Sequence, residues 1–419
     1  MPPSSALPDF TGAFVDEGYL HIISLLGRGG SAKVYKAVDT TSPSDDPAFF
    51  AVKCMMNGPR GSMQSALLNN EFRMHDTVAD HPGVLSFHSV FVEGDYIFAV
   101  FDLCAADMLT CVVDRQLYVG NPALVKQAFV ELLDVVDDCH QESIYHRDIK
   151  PQNILCNSEG TDIRLADFGA ATPNAESHSS NCGTTGYMSP ECLDTARTTY
   201  SSRGADCWSL AITLVVLATG HVPWNVADTS DRNYAAFRAD PANFLQRLLS
   251  LTHEANDIFR WCFHVDPARR PSIPQLRAAV LATPCFSVAD VPAVLRAIIP
   301  TPAHSCVTST SSATSSDITS APSTTPSSST GTTSSAGPST PHDSGIEPPI
   351  AIVDLLDAAN IGLAALYPEP LKPTKLYGRF IPAPLPSHLK SAPEFRFLDL
   401  KRRGVANRKR FADTQRRTF

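Results

Sequence analysis

Tyr145-His146-Arg147-Asp148-Ile149-Lys150-Pro151-Gln152-Asn153 and, a short stretch later, Ala166-Asp167-Phe168-Gly169 bring two carboxylates, a lysine and a carboxamide close together in the chain. Outward from this stretch the sequence changes character. Upstream, residues 21–26, 32–37, 49–55, 84–92 and 96–102 are rich in β-branched and aromatic side chains and read as short strands. Nearer the stretch, residues 121–141 place Leu124, Ala128, Phe129, Leu132, Leu133 and Val136 at helical spacing, so that they make one face of a helix. Strands first and helices after predict an α+β architecture with a small sheet lobe, a larger helical lobe and a cleft between them.

Two further signals lie in the strand-rich part. Leu26-Gly27-Arg28-Gly29-Gly30-Ser31-Ala32-Lys33-Val34 joins two predicted strands, and its glycines would let backbone N–H groups approach phosphate oxygens. By itself such a stretch is more often just a turn. Ala51-Val52-Lys53 then puts a lysine in an apolar strand, where a stray ammonium would be costly to bury. Glu71 lies in a stretch that reads as a helix; taken alone it is a surface carboxylate, but its distance from Lys53 and the His81-Pro82-Gly83 turn that follows favour it as the partner that fixes Lys53 against phosphates.

His146-Arg147-Asp148 with Asn153, followed by Asp167-Phe168-Gly169, resembles the eukaryotic protein kinase family, and the likeness covers about residues 18–280. The resemblance implies a two-lobed fold whose small lobe is an antiparallel β-sheet with one regulatory helix. It also implies ATP and Mg2+ as cofactors. Asp148 would accept the substrate hydroxyl proton, Lys150 would neutralise the transferring phosphoryl group, and Asn153 and Asp167 would hold magnesium. Such chemistry needs cations for spreading negative charge and hard oxygen ligands for the metal. ATP would lie against Leu26, Gly27, Gly29, Gly30, Val34, Ala51 and Lys53, with Phe101 at the back of the adenine pocket, the backbone of Asp102 and Cys104 at its edge, and Asp107 near the ribose or a basic substrate residue.

Further along, Cys182-Gly183-Thr184-Thr185-Gly186-Tyr187-Met188-Ser189-Pro190-Glu191 resembles the end of an activation segment. Thr184 then implies a serine/threonine kinase acting on protein substrates. Glu191 would pair with Arg270, and Asp206 would open a buried central helix whose apolar run, residues 210–218, is too short to span a bilayer. Several runs, including Leu117-Tyr118-Val119-Gly120-Asn121 and Asp266-Pro267-Ala268-Arg269-Arg270, are similar to fungal kinases that restrain meiosis and sexual development. Departures are few. Ala32 replaces the third loop glycine, Ala211 another glycine, and His75 stands where an apolar residue usually meets Phe168. Arg147 beside Asp148 implies an activation loop ordered by phosphate, with Ser180 as the expected site and an upstream kinase to supply it. A pseudokinase scaffold is the alternative, but it would normally lack one of Lys53, Asp148, Asn153 or Asp167.

Composition bounds the rest. The 11 cysteines among 419 residues form no C-x-x-C pair, which speaks against a zinc site or disulfide framework and favours cytoplasm or nucleus. Neither a signal sequence nor a membrane span is expected. The net charge of −9 hides a division: residues 401–419 carry eight basic side chains against one acidic, leaving −16 on the other 400. An acidic body argues against nucleic-acid binding by the main domain, while the basic end suits an import or docking partner. The expected divisions are an extension at 1–17, the kinase domain at 18–285 with lobes at about 18–103 and 104–285, a Ser/Thr/Pro-rich disordered linker at 286–348, and a segment at 349–419 with a docking helix through Ile352, Leu355, Leu356, Ala359, Leu363 and Leu366.

Overall fold

The computed structural model describes residues 7–178, 182–291 and the backbone of 350–351. The linker from 292 on, the expected docking helix, the basic tail and Ser180 lie outside these residues, whereas residues 286–290, expected to open the disordered linker, are folded, with Phe286 buried and the Val288 N–H donating to the Ser250 carbonyl. The strand-rich part folds into a six-stranded antiparallel sheet: β1 (Phe14–Val15), β2 (Leu20–Arg28), β3 (Ala32–Asp39), β4 (Phe49–Met56), β5 (Phe87–Glu93) and β6 (Tyr96–Asp102), in the order β1-β2-β3-β4-β6-β5. Period-two alternation sends Tyr35, Val52 and Cys54 to one face and Ala32, Met55 and Ala99 to the other, and both faces are buried in separate apolar clusters. Helix α1 (Met63–Val78) crosses the inner face; Ser62 starts it by accepting the Ser65 N–H, and Leu68 and Phe72 face the sheet. Because β1 pairs with β2, ordered structure reaches into the segment expected to be an extension.

The expected strand at 84–92 begins only at Phe87. Past the lobe boundary, β7 (Ala106–Asp107), β8 (Ile154–Cys156) and β9 (Arg164–Leu165) form a small sheet in that order. The residues before Phe87 are spent on this second lobe: the Leu85 N–H donates to the Leu165 carbonyl at 2.9 Å, and the Leu165 N–H to that of Gly83 at 2.8 Å. Gly83 is small for a reason. A Cβ there would lie 2.1 Å from Cγ2 of Val135. Gly83→Ala is therefore expected to cost about 1–3 kcal/mol in urea denaturation, and Val135→Ala, which removes the crowded methyl, should cost less in the Gly83→Ala background than it does alone. Strictly additive effects would show that the two do not meet.

The larger lobe contains α2 (Met108–Val113), α3 (Pro122–Gln141), α4 (Pro190–Leu193), α5 (Ser202–Thr219), α6 (Arg232–Ala239), α7 (Phe244–Leu249), α8 (His253–Cys262) and α9 (Ile273–Ala282). Asn121 caps α3 through the Leu124 N–H and Pro122 occupies its first turn. All of α5 is buried except Arg203 and Thr219, so its apolar run is the core around which α3 and α8 pack. No helix among the described residues is long and apolar enough to cross a membrane. Short pairs β10 (Glu176–Ser177) with β11 (Tyr200–Ser201), and β12 (His221–Val222) with β13 (Ile350–Ala351), complete the elements.

Candidate active site

The loop quoted at the outset is held from below by α5. Asp206, buried in the first turns of that helix, accepts the backbone N–H groups of His146 (2.9 Å) and Arg147 (2.7 Å) and receives His140 Nε2 at 2.8 Å. Arg147 adopts a left-handed backbone with φ 62°, and the two N–H bonds to one buried carboxylate hold that conformation in place. The sequence reading placed Asp206 at the helix start but did not assign it this duty; the loop it serves lies some sixty positions earlier.

Above Asp206, Asp148, Lys150 and Asn153 converge with Thr184 of the activation segment. Lys150 Nζ donates to Asp148 Oδ2 (2.9 Å) and to Thr184 Oγ1 (2.6 Å), and Thr184 Oγ1 donates to Asp148 Oδ1 (2.7 Å). Asn153 donates through Nδ2 to the Asp148 carbonyl and to Oδ2, which leaves its amide oxygen as the group that can ligate a hard cation. Gly183, with φ 109°, has no room for a side chain: a Cβ would lie 2.5 Å from the Arg147 carbonyl oxygen. The activation segment thereby approaches the catalytic loop closely enough for Thr184 to reach Asp148.

On the small-lobe side, Lys53 Nζ bridges Glu71 Oε1 (2.7 Å) and Asp167 Oδ1 (2.8 Å). This resolves the two readings of Glu71 in favour of the pair. Burial alone would pull the Lys53 ammonium down, but the Asp167 and Glu71 carboxylates outweigh it and hold its pKa above the usual lysine range. The same ammonium holds Asp167 well below the usual carboxylate range, whereas burial pushes Glu71 up. Asp167 is thus an anion with Oδ2 free of Lys53, a fitting ligand for a hard cation. No group of three or more His, Cys, Asp or Glu side chains forms a metal cage among the described residues. Two protein ligands supplemented by phosphates are the usual arrangement for a small divalent ion.

The nucleotide loop spans the β2–β3 turn. A Cβ at Gly27 would meet nothing within 4 Å, and one at Gly29 only the Ala32 carbonyl oxygen at 3.8 Å. Protein packing does not require glycine at either position, which fits a loop kept bare for close approach of a ligand. Ala32 places its methyl in the inner cluster, so the missing third glycine is accommodated. Register brings Val34 opposite Lys53 and Ala51 opposite Phe101. Phe101 is buried between Phe87 and His75, and the sheet ladder stops at Asp102 before Leu103 and Cys104. Asp102 itself pairs with His88 Nε2 at 2.6 Å, and Asp107 caps α2 by accepting the N–H and hydroxyl of Thr110. Neither side-chain duty was visible in the sequence.

His75 does not disturb the active arrangement. It lies 4.9 Å from the Phe168 ring, and its Nε2–H donates to the Leu85 carbonyl at 2.7 Å. Burial lowers its pKa to about 4, so it is neutral at physiological pH. The unfolded chain, with histidine near 6.5, binds a proton that the native protein refuses between these values. Stability is therefore lost as pH falls through that window. Unfolding free energy should drop by about 2 kcal/mol more between pH 7 and pH 5 in the wild type than in His75→Leu; parallel pH profiles would remove His75 from the account.

Arg147 was expected to await a phosphate. It donates through Nε to the Ala170 carbonyl (2.8 Å) and through Nη1 to the Ser177 hydroxyl (2.6 Å) and Tyr200 Oη (3.4 Å). Ser177 is buried. Farther on, Arg270 makes a two-pronged ion pair with Glu191 (2.5 and 2.8 Å), donates to the carbonyls of Gly204 and His264, and lies 5.0 Å over the Trp208 ring.

A two-lobed fold with this lysine, carboxylate and catalytic-loop geometry defines a phosphotransferase class, and the protein kinase domain pattern matches residues 20–281. The chain belongs to the protein kinase family. It is 30% identical over 283 residues to the negative regulator of sexual conjugation and meiosis of Schizosaccharomyces pombe, covering 62% of this chain and 59% of that one. Serine/threonine-protein kinase VHS1 of Saccharomyces cerevisiae is 32% identical over 232 residues, 52% of this chain and 50% of its own. CBL-interacting protein kinase 29 of Oryza sativa subsp. japonica is 32% identical over 253 residues, 57% and 55% respectively. The chain spans between half and three-fifths of the length of these relatives.

Proposed function

We propose that the protein transfers the γ-phosphoryl group of ATP, bound with Mg2+, to serine or threonine hydroxyls of protein substrates. The observation that carries this reading is the Asp148–Lys150–Thr184 triangle, with its three contacts of 2.6–2.9 Å. It combines an acceptor for the hydroxyl proton, a cation beside it, and the segment residue that marks the serine/threonine type. ATP with its metal supplies the phosphoryl group and part of the charge neutralisation. The chain supplies position and electrostatics. Lys53, oriented by Glu71, would hold the nucleotide phosphates; Asp167 and Asn153 would hold the metal; Asp148 would take the proton. Retention of all these groups disfavours a pseudokinase scaffold.

The named function of the fission-yeast relative supports a role in fungal growth or sexual-development signalling. Activation-loop phosphorylation at Ser180, a docking or import partner for the C-terminal segment, and residence in cytoplasm or nucleus belong to the same proposal. Radiolabel transfer from ATP to a generic protein substrate tests its core. Wild-type protein should label the substrate, and Lys53→Met and Asp148→Asn should not; equal labelling by all three would trace the signal to another kinase and sink the reading.

A further inference from the structure

The outer face of the small-lobe sheet is roofed by the chain before β1. Leu7 is buried, and the Phe10 ring packs edge-on against Tyr35, Tyr96 and Phe98 at centroid distances of 6.2, 5.0 and 5.1 Å. Tyr35 Oη donates to the Pro8 carbonyl (3.2 Å) and accepts the Phe10 N–H (3.3 Å). Beside Tyr35 on the same face of β3 is Lys33, only 5% exposed, whose ammonium donates to the carbonyls of Leu7 (2.6 Å) and Pro8 (3.3 Å).

Burial of a lysine at this position calls for an explanation. An ammonium at the tip of a hairpin would ordinarily reach solvent on its flexible stem, and burial costs free energy unless its hydrogen bonds are met. Both hydrogen bonds described for Lys33 go to the N-terminal segment. Its place in the register is equally specific. Lys33 pairs with Arg28 in the last rung before the glycine turn, and the next residue, Val34, pairs with Lys53. The N-terminal chain is thus tied, through one side chain, to the base of the loop that would cover the phosphates.

We propose that residues 7–10 are a strap that sets the conformation of the nucleotide loop, and that Lys33 is the positioning residue through which it acts. This rests on the reading of the cleft as an ATP site. Without the bond, the rung at Arg28 and Lys33 is free to fray, and the loop samples conformations that bind nucleotide less well. Lys33 does not touch the reacting atoms, so the effect falls on nucleotide affinity rather than on the chemical step.

The test uses the full chain and two readouts: equilibrium binding of a non-hydrolysable ATP analogue, and KM for ATP and for peptide alongside kcat. Lys33→Met keeps the apolar stem and removes the ammonium. It should weaken analogue binding and raise KM for ATP about fivefold, with KM for peptide and kcat little changed. Lys33→Arg, which restores donors, should recover most of the affinity. Deleting residues 2–10 should reproduce the effect, and adding Lys33→Met to the deletion should add nothing. Unchanged analogue affinity in Lys33→Met, additive losses, or equal changes in all three kinetic constants would overturn the proposal. Binding that depends on Lys33 in a protein with no transfer activity would leave the strap standing and remove the kinase reading; transfer with Lys33-independent binding would do the reverse.

Discussion

Asp148→Asn should lower kcat by about 10²–10⁴-fold while leaving the unfolding midpoint nearly unchanged. The carboxylate accepts from Thr184 on one oxygen and from Lys150 and Asn153 on the other. An asparagine can turn its carbonyl toward Lys150 and Asn153 and its NH2 toward the Thr184 hydroxyl oxygen, so the local network survives. What it cannot do is take a proton from an incoming hydroxyl. The expected signature is a fall in kcat with ATP-analogue binding intact, read by single-turnover phosphorylation and by calorimetric titration. A variant with near-normal kcat would show that proton acceptance at Asp148 contributes little; a variant that fails to fold would contradict the account of its hydrogen bonds.

Arg270→Met should be the most damaging single change to stability, by about 3–5 kcal/mol, equivalent to a midpoint fall on the order of 10 °C. Both partners of the Arg270–Glu191 pair have side chains only 1% exposed. Removing the guanidinium leaves a buried carboxylate without its cation and frees the carbonyls of Gly204 and His264 from their donor. It also removes the cation stacked over Trp208. Pairing the change with Glu191→Met should recover a large part of the loss, because two apolar groups carry no uncompensated charge. Urea denaturation of the two single variants and the double variant measures this directly; a double variant as damaged as the sum would locate the cost in lost packing instead.

Much of the site was legible in the chain because its motifs are local. The catalytic loop carries Asp148, Lys150 and Asn153 within six positions of one another, and Asp167 is marked by its own Asp-Phe-Gly tripeptide. Helix α3 was equally legible, since its apolar face recurs at helical spacing within its own span. Where local pattern and tertiary use diverged, the reading slipped. Residues 84–86 have the composition of a strand, yet the two lobes use them as a joint to β9.

The residue types, their order and their spacing by themselves marked a glycine-rich turn between strands, a lysine in an apolar strand and a local cluster of carboxylates, lysine and amide, and the kinase resemblance attached to them the expected roles of nucleotide loop, phosphate-directed lysine, proton acceptor and metal ligands, because each is recognisable within a few neighbouring positions. Tertiary structure alone decided what holds them. Asp206 under the catalytic loop, the burial that keeps His75 neutral, and the strap carbonyls that capture Lys33 depend on contacts between segments far apart in sequence. Their energies come from burial and from hydrogen bonds closed only when the chain has folded, and no run of adjacent residues carries that information.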